Sequence, residues 1–205
     1  MNELETVYKK RYENYLQPLA EKLEKLLQEY FSEEQRIDRV ISRAKSVESF
    51  IKKANRKVDG KQNYNDPLNQ IQDQVGSRIV TYYLDDVQRI EQFVLKYFRH
   101  VESQDVVPES DSEFGYFGKH LVLFVPNELL DVAVSTETYP RFFELQIKTL
   151  FQHAWGEANH DLGYKPPWRW SSEDKRSIAF ASAQAWGADM IFNDLYKKSL
   201  VMERN

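Results

Sequence analysis

Residues 141–165 read RFFELQIKTLFQHAWGEANHDLGYK, and this stretch is the most informative part of the chain. Its first part, 142–149, alternates apolar and polar side chains, which is the period-two pattern of a β-strand with two unlike faces. The part that follows has the pattern of a helix. Polar groups share one face of the strand and continue into the helix: Glu144, Gln146, Lys148, His153, Trp155, Glu157 and His160.

Ionisable side chains on one face of an apolar strand are costly unless they contact a ligand or a metal ion. This strand therefore predicts a functional site, in which Glu144 completes a Mg²⁺ site or acts as a general base. His153 and His160 are seven residues apart, two turns along one helical face, and each is equally compatible with a satisfied core histidine. A zinc site is a poor interpretation, because the chain has no Cys and no H-E-x-x-H spacing.

Outward from this stretch, the patterns alternate between helix and strand periods. They predict strands at 37–45, 77–84, 98–107 and 120–126, and helices at 3–31, 46–56, from Asp85 or Asp86, and from Ser171 or Ser172 to about 199. The segment 37–45 is ambiguous, and Pro18 is expected to kink the first helix. This order predicts a mixed α/β (α+β) fold, with one sheet of four or five strands covered by helices.

The last helix carries apolar residues at alternating spacings of three and four, which predicts a side that packs into the core. The residues of this side are Ile178, Ala181, Ala185, Ala188, Phe192 and Leu195, and Trp186 is expected to be core as well.

Composition limits the class of protein. The 205 residues suit one domain, without a run of 18 apolar residues that would cross a membrane. The absence of Cys fits a reducing compartment, so we expect a cytoplasmic protein. The net charge of −4 argues weakly against a large nucleic-acid interface.

The segment IQDQVGSRIV, residues 71–80, places Asp73 before a strand, followed by Gly76 and Arg78. A carboxylate at the mouth of a sheet is a usual Mg²⁺ ligand, and glycine lets the backbone approach a ligand closely. A loop cap at Asp73 and a surface ion pair at Arg78 are the alternative interpretation.

The segment RAKSVESFIKK, residues 43–53, places Arg43 and Lys45 on one strand face, with Lys52 and Lys53 on the next helix. Basic groups around a helix N-terminus favour a triphosphate. A solvated basic helix face gives the same pattern.

The segment EFGYFGKH, residues 113–120, places Tyr116 beside glycines and before a strand that His120 opens. Such a ring can stack on a nucleobase. A hairpin turn with a packed aromatic side chain is the alternative.

Taken together, the four motifs occur in the order R-x-K-S, D-x-x-G-x-R, G-Y-x-x-x-H and E-x-Q-I-K-T, and this order resembles the synthetase domain of the RelA/SpoT family, the (p)ppGpp synthetases. The resemblance covers about Arg43 to Lys165 and looks like a small stand-alone synthetase. It implies a nucleotidyltransferase-like sheet of about five strands with long terminal helices. It also implies one domain, made of an N-terminal helix (1–35), a catalytic core (36–165) and a C-terminal helical extension (166–205).

The resemblance further implies that Mg²⁺ is the cofactor and that the β,γ-pyrophosphate of ATP is transferred to the 3′-OH of GTP or GDP. Asp73 and Glu144 would be metal ligands and catalytic residues, with Gln146 in support. The implied ATP-binding residues are Arg43, Lys45, Ser49, Lys53 and Arg78. The implied acceptor-binding residues are Tyr116, His120, Lys148, His153 and His160.

Three departures from the family pattern concern mainly the acceptor side. Phe117 and Gly118 stand where the family reads x-S, the preceding loop is acidic at Glu109, Asp111 and Glu113, and Lys148 replaces an arginine. Some family members are toxins that pyrophosphorylate the tRNA 3′ CCA end, which is the alternative function. Candidate basic tracks for tRNA are Lys9–Arg11, 52–57 and Arg169 with Lys175 and Arg176. An inactive nucleotide-binding module is a third hypothesis, and a homo-oligomer or an antitoxin partner is expected.

Overall fold

A five-stranded sheet forms the centre of the computed structural model, which describes residues 3–58, 60–107, 113–115, 118–131, 134, 138–163 and 169–203. The strands are β1 (Ile37–Ala44), β2 (Lys57–Val58), β3 (Lys61–Gln62), β4 (Val75–Thr81), β5 (His100–Val106), β6 (Gly118–Phe124) and β7 (Phe142–Thr149). The helices are α1 (Glu3–Arg11), α2 (Gln17–Tyr30), α3 (Val47–Ala54), α4 (Pro67–Gln70), α5 (Leu84–Tyr97), α6 (Leu150–Gly163) and α7 (Ser172–Met202), with a 3₁₀ turn at Asn127–Leu129.

The strand order across the large sheet is β1-β4-β7-β6-β5. The central pair β4 and β7 is parallel, and the other neighbours are antiparallel. The short strands β2 and β3 form a separate hairpin. The predicted mixed sheet of about five strands flanked by helices is confirmed, and the ambiguous segment 37–45 is a strand.

The two faces of the sheet have different chemistry because side chains alternate along each strand. On one face, Ile79, Leu121, Leu145 and Ile147 are fully buried and join a core that includes the inner sides of α2 and α5. The opposite face carries Arg78 of β4, His120 of β6, and Glu144, Gln146 and Lys148 of β7. The alternation read from 142–149 therefore separates core from site, as the sequence predicts.

The N-terminal helix is interrupted close to the predicted kink. A π-helical turn, Tyr12–Leu16, joins α1 to α2, and Pro18 lies in the first turn of α2. Proline cannot donate a backbone hydrogen bond, and its ring crowds the carbonyl four residues earlier, which here belongs to the π-helical turn. Leu19, Leu23 and Leu27 then bury one side of α2 against the sheet.

The start of α5 differs from the prediction of an Asp cap. The N-cap residue is Tyr83, and α5 begins at Leu84. Asp86 is the third helical residue, and its carboxylate accepts the backbone N–H of Tyr83 at 3.3 Å. The acidic residue therefore completes the cap from inside the helix, where a carboxylate also interacts favourably with the helix dipole.

The prediction that the apolar side of the last helix is core is wrong. Phe192 and Leu195 are about half exposed, as is Trp186, whereas the buried positions of α7 are Ser182, Asp189 and Asn193. The reason is that the buried contacts of α7 are polar: Ser182 donates to Gly115 O, Asp189 accepts from Thr149, and Asn193 bonds to Asp85. Trp186 and Phe192 contact Phe114 and Phe151 from half-exposed positions. Despite this apolar surface, none of the described helices is long and apolar enough to cross a membrane.

Candidate functional site

Asp73 lies between two lysines just before β4. Its Oδ2 atom is 3.0 Å from Nζ of Lys45 and 3.0 Å from Nζ of Lys53. Lys45 directly follows β1, and its backbone N–H donates to Gln74 O at 2.8 Å, which fixes the two segments side by side. Lys53 comes from α3. Two separate sequence motifs, 43–53 and 71–80, therefore meet at one carboxylate.

The second oxygen of Asp73 is available for a cation. Oδ1 is buried and has no hydrogen-bond partner among the described residues. A carboxylate oxygen in this state is expected to receive a cation or a donor, because leaving it unpaired is costly. Glu144 lines the same cavity. One or two carboxylates beside a phosphate-binding surface are a usual donor set for Mg²⁺, so these residues fit that ion.

Glu144 is held by two neighbours on the polar face of the sheet. Its Oε1 atom lies 2.6 Å from Nδ1 of His120 and accepts a hydrogen bond from Nε2 of Gln146 at 3.3 Å. Burial favours the neutral acid, but the hydrogen bond and charge of His120, helped by Gln146 and Lys53, outweigh it and lower the pKa of Glu144. Glu144 is therefore ionised at neutral pH.

Arg78 organises the adjoining part of the face. Its Nε atom donates to Oε1 of Gln146 at 3.2 Å, and Nη1 contacts Nδ1 of His153 at 3.1 Å and the carboxylate of Glu157. Burial raises the pKa of Glu157, but Arg78 outweighs it and the net pKa is lowered. Burial and the charge of Arg78 lower the pKa of His153. The positively charged guanidinium of Arg78 therefore lies beside His153, whose lowered pKa favours the neutral imidazole.

Lys148 is almost completely buried at the end of the polar face. Burial, followed by the positive charge of Arg78, lowers the pKa of Lys148 to about 7, although Glu157 and Glu144 act in the opposite direction. A lysine in this state changes its charge in response to a nearby anion, because an anion favours the ammonium form.

The strand register puts the site residues into two rows. Arg43 is opposite Gly76, and Gly76 is opposite Glu144. A Cβ atom at Gly76 would meet only Glu144 O, at 3.9 Å, so the space between Arg43 and Glu144 is open. In the next row, Arg78 is opposite Gln146, which is opposite His120.

A polar cavity of about 280 Å³ opens beside these rows. Its lining is Lys53, Tyr64, Gln70, Gln72, Asp73, Glu102, Gln104, His120, Val122 and Glu144. The structure thus unites Lys45, Lys53 and Asp73 with His120, Glu144 and Gln146, and it places Arg78, Lys148 and His153 next to them. Glu102 and Gln104 on β5 were missed by sequence reasoning, as were Tyr64, Gln70 and Gln72, because no local pattern marks them.

The remaining predicted residues lie at the margins. Arg43 is exposed on the edge strand β1, and its charge acts on Lys148 and Glu157. Ser49 lies in the first turn of α3, where its N–H donates to the N-cap residue Ser46. His160 is exposed two turns beyond His153. Tyr116, like Phe117, Glu109 and Asp111, lies outside the described residues.

Glu157 is a further partner of Arg78, and the sequence motifs assign it no role. It lies four residues after His153 on α6, which puts both side chains on one helical face, and both reach Arg78. This i, i+4 spacing is the signal that could have identified it.

One predicted basic surface is wrong in part. Arg11 is 7% exposed, and its guanidinium donates to Thr138 O and Leu68 O, both at 2.8 Å. It ties the N-terminal helix to α4 and to the segment before β7, so it does not belong to a basic track with Lys9 and Lys10.

Comparisons with known proteins identify a family. The family described as "Region found in RelA / SpoT proteins" matches residues 42–167, which is more than half of the chain. GTP pyrophosphokinase YjbM from Bacillus subtilis (strain 168) is 33% identical over 170 residues, which cover 76% of this chain and 74% of that protein.

Solved structures show the same fold. Small alarmone synthetase 1 from Bacillus subtilis matches with a TM-score of 0.76 and 24% identity over 93% of this chain and 98% of that one. The same enzyme bound to its product pppGpp matches with a TM-score of 0.74 and 26% identity over 92% and 98%. The matched family region contains both rows of site residues, and the chain therefore belongs to the RelA/SpoT family.

Proposed function

We propose that the protein is an ATP-dependent pyrophosphokinase that transfers the β,γ-pyrophosphate of ATP to the ribose 3′-OH of GTP or GDP. One observation carries the proposal: a carboxylate between two lysines, Asp73, and a second carboxylate held by a histidine, Glu144, line the same cavity. Transfer of phosphoryl-type groups needs positioning and charge neutralisation more than covalent chemistry, and this arrangement supplies both.

The donor side is basic. Lys45 and Lys53 would bind the phosphates of ATP, with Ser49 at the start of α3 and Arg43 at the edge of the sheet. These positions suit an anion, because the ammonium groups of Lys45, just before α3, and Lys53, in its last turn, both reach Asp73 and so lie close together. Mg²⁺ held by Asp73 and Glu144 would supply charge neutralisation of the triphosphate.

The acceptor side centres on Glu144. Ionised Glu144 would accept the proton of the 3′-OH while the 3′ oxygen forms a bond to the β-phosphorus. The bond from the β-phosphorus to the oxygen that bridges it to the α-phosphorus breaks. That oxygen keeps the electron pair and leaves as part of the phosphate of AMP. His120 and Gln146 orient the carboxylate, and Lys148 and His153 would contact the acceptor. The resemblance implies ATP for Arg78, but we assign Arg78 to the acceptor side, because its guanidinium contacts Gln146 and His153. Tyr116 would stack on its base.

Two relatives support this choice of acceptor. YjbM is named a GTP pyrophosphokinase, and small alarmone synthetase 1 binds pppGpp as its product. The alternative, tRNA, needs basic surface outside the cavity, and Arg11 does not contribute to it. We also propose that residues 36–165 form the catalytic core, with the segments 1–35 and 166–205 as helical extensions of one synthetase domain.

The test offers separate acceptors to the full chain with Mg²⁺ and ATP labelled in the γ-phosphate. GDP, GTP, AMP and deacylated tRNA are each supplied alone. We expect label in guanosine tetra- or pentaphosphate and none in tRNA. Label in tRNA alone would assign the protein to the alternative function, and no label in any tube while ATP still binds would reject the proposed activity.

A further inference from the structure

A second cavity of about 140 Å³ lies between α6, α7 and the start of α5. Its lining is Leu84, Gln152, Trp155, Ser182, Ala185, Trp186 and Asp189. Asp189 is the one ionisable residue of this lining, and two indoles accompany it. A cavity of this size accommodates a group of about five or six non-hydrogen atoms.

Asp189 is a buried acid with one occupied oxygen. Thr149 is the last residue of β7 and caps α6, because its Oγ1 accepts a hydrogen bond from the N–H of Gln152 at 3.1 Å. The hydroxyl of Thr149 donates in turn to Oδ2 of Asp189 at 2.8 Å. The other oxygen, Oδ1, is buried and has no hydrogen-bond partner among the described residues. Asp189 is 2% exposed, so bulk water does not compensate for the missing donor.

This cavity is separate from the polar cavity that Asp73 and Glu144 line. Gln152 and Trp155 are three residues apart on the side of α6 that faces α7, whereas His153 and Glu157 occupy the side that faces Arg78. The helix therefore stands between the two cavities, and none of the residues lining the polar cavity lines the second cavity.

We propose that this cavity binds a small organic cation, an alkylammonium or guanidinium group with a short apolar body. The N–H groups of such a cation supply the donor that Asp189 Oδ1 lacks. The faces of Trp155 and Trp186 attract a cation through their π systems and also cover its apolar part. The recognition chemistry is a charge-assisted hydrogen bond in an aromatic setting.

Other ligand classes fit less well. A hard metal ion prefers several oxygen ligands, and this lining offers one carboxylate among apolar and aromatic groups. An anion would be repelled by Asp189. A neutral apolar molecule would fill the volume but leave Oδ1 without a donor.

The test titrates the full chain with n-butylammonium chloride and with methylguanidinium chloride at constant ionic strength. The neutral comparison ligands are n-butanol and methylurea. Indole N–H signals of ¹⁵N-labelled protein report occupancy, because Trp155 and Trp186 line the cavity. We expect saturable shifts of these signals with at least one cation, and at least tenfold weaker binding of its neutral counterpart.

Two variants make the test specific. Asp189→Asn keeps the shape of the side chain and removes its charge, and we expect cation affinity to fall at least tenfold. Trp186→Leu changes a half-exposed residue, so it provides a second variant if Asp189→Asn does not fold. It should weaken binding of the cation more than binding of the neutral ligand. Asp194→Asn, an exposed acid on the same helix, is the matched control. Absence of saturable binding, equal binding of the neutral ligand, or unchanged affinity in Asp189→Asn would overturn the proposal.

Discussion

Nδ1 of His120 lies 2.6 Å from Oε1 of Glu144, across neighbouring antiparallel strands. His120 is opposite Gln146 in the register, so its side chain reaches diagonally to Glu144, two residues along β7. This contact lowers the pKa of Glu144 against the effect of burial. It keeps a partly buried carboxylate ionised at the place where the acceptor hydroxyl would bind.

The first prediction concerns the charge of Glu144. Glu144→Gln preserves the shape and the hydrogen bond to Gln146 but removes the proton acceptor. We expect the turnover number to fall about 10²- to 10⁴-fold, which is the usual contribution of a positioned general base. Steady-state kinetics measure the fall, and circular dichroism checks the fold. Glu128→Gln, at an exposed position, should keep wild-type activity. Activity within threefold of wild type in Glu144→Gln would remove Glu144 from the mechanism.

The second prediction concerns Asp73 and Mg²⁺. In Asp73→Asn, Lys45 and Lys53 lose their shared counter-charge, so metal-free ATP should bind at least as tightly as it does to the wild type. Mg²⁺ should no longer strengthen that binding, and turnover should fall about 100-fold or more. Calorimetry with and without Mg²⁺ separates these effects. If Mg²⁺ strengthens ATP binding equally in the variant and in the wild type, Asp73 is not a metal ligand.

The third prediction concerns the guanidinium group of Arg78. Arg78→Lys keeps the charge but cannot contact Gln146, His153 and Glu157 together, because an ammonium group is a single point donor. We expect the KM for the guanosine nucleotide to rise about tenfold, and the KM for ATP to change by less than about threefold. Initial rates with each substrate varied in turn measure both. Arg176→Lys, on the exposed start of α7, serves as the control. A larger change for ATP would place Arg78 on the donor side.

The fourth prediction concerns the pH dependence of stability. Burial raises the pKa of Asp189 to about 6, and the hydrogen bond from Thr149 only partly opposes it. The unfolded value is about 3.9, so the folded protein binds more protons between about pH 4 and pH 6. The contribution of Asp189 therefore lowers the free energy of unfolding as pH rises through this window, by about 2–3 kcal/mol in total.

Asp189→Asn should remove that pH-dependent loss. Without an amine present, we expect the variant to be more stable than the wild type at pH 7 and closer to it at pH 4. Urea unfolding at several pH values gives the free energies of unfolding. Asp85 and Lys197 form an ion pair beside Leu84 of the cavity lining, and this pair is the same in both proteins. A constant difference between the two proteins from pH 4 to pH 7 would show that Asp189 does not titrate as described.

Much of the fold follows from the sequence, because β7 and its neighbours separate core from polar face by simple alternation. Ile147 and Leu145 face the core and Gln146 does not, and a period-two pattern is sufficient to predict this. The last helix shows the limit. The spacing of Phe192 and Leu195 correctly indicates one apolar side, but the pattern does not say whether the same chain covers that side. The buried hydrogen bonds of Ser182, Asp189 and Asn193 show which side of α7 faces the rest of the chain.

The site was predicted as a set of residues rather than as a geometry. The motifs around Lys45, Asp73 and Glu144 were identified, and the structure brings them to one cavity. The contacts of Arg78 could not be predicted, because they join positions 68 to 79 residues apart and depend on the parallel register of β4 and β7. Gln104 was missed because it reaches the cavity from an edge strand with no motif of its own.

The nucleotide left behind by ATP shows whether an intact pyrophosphate group is transferred, because that transfer releases AMP. The full chain is incubated with Mg²⁺, GTP and ATP labelled separately in the β- and γ-phosphates, and the products are separated and quantified. Our account predicts AMP and guanosine pentaphosphate in equal amounts, with both labels on the 3′ oxygen of the guanosine. Formation of ADP, release of free phosphate in place of transfer, or label found only in an acceptor other than the guanosine nucleotide would contradict it.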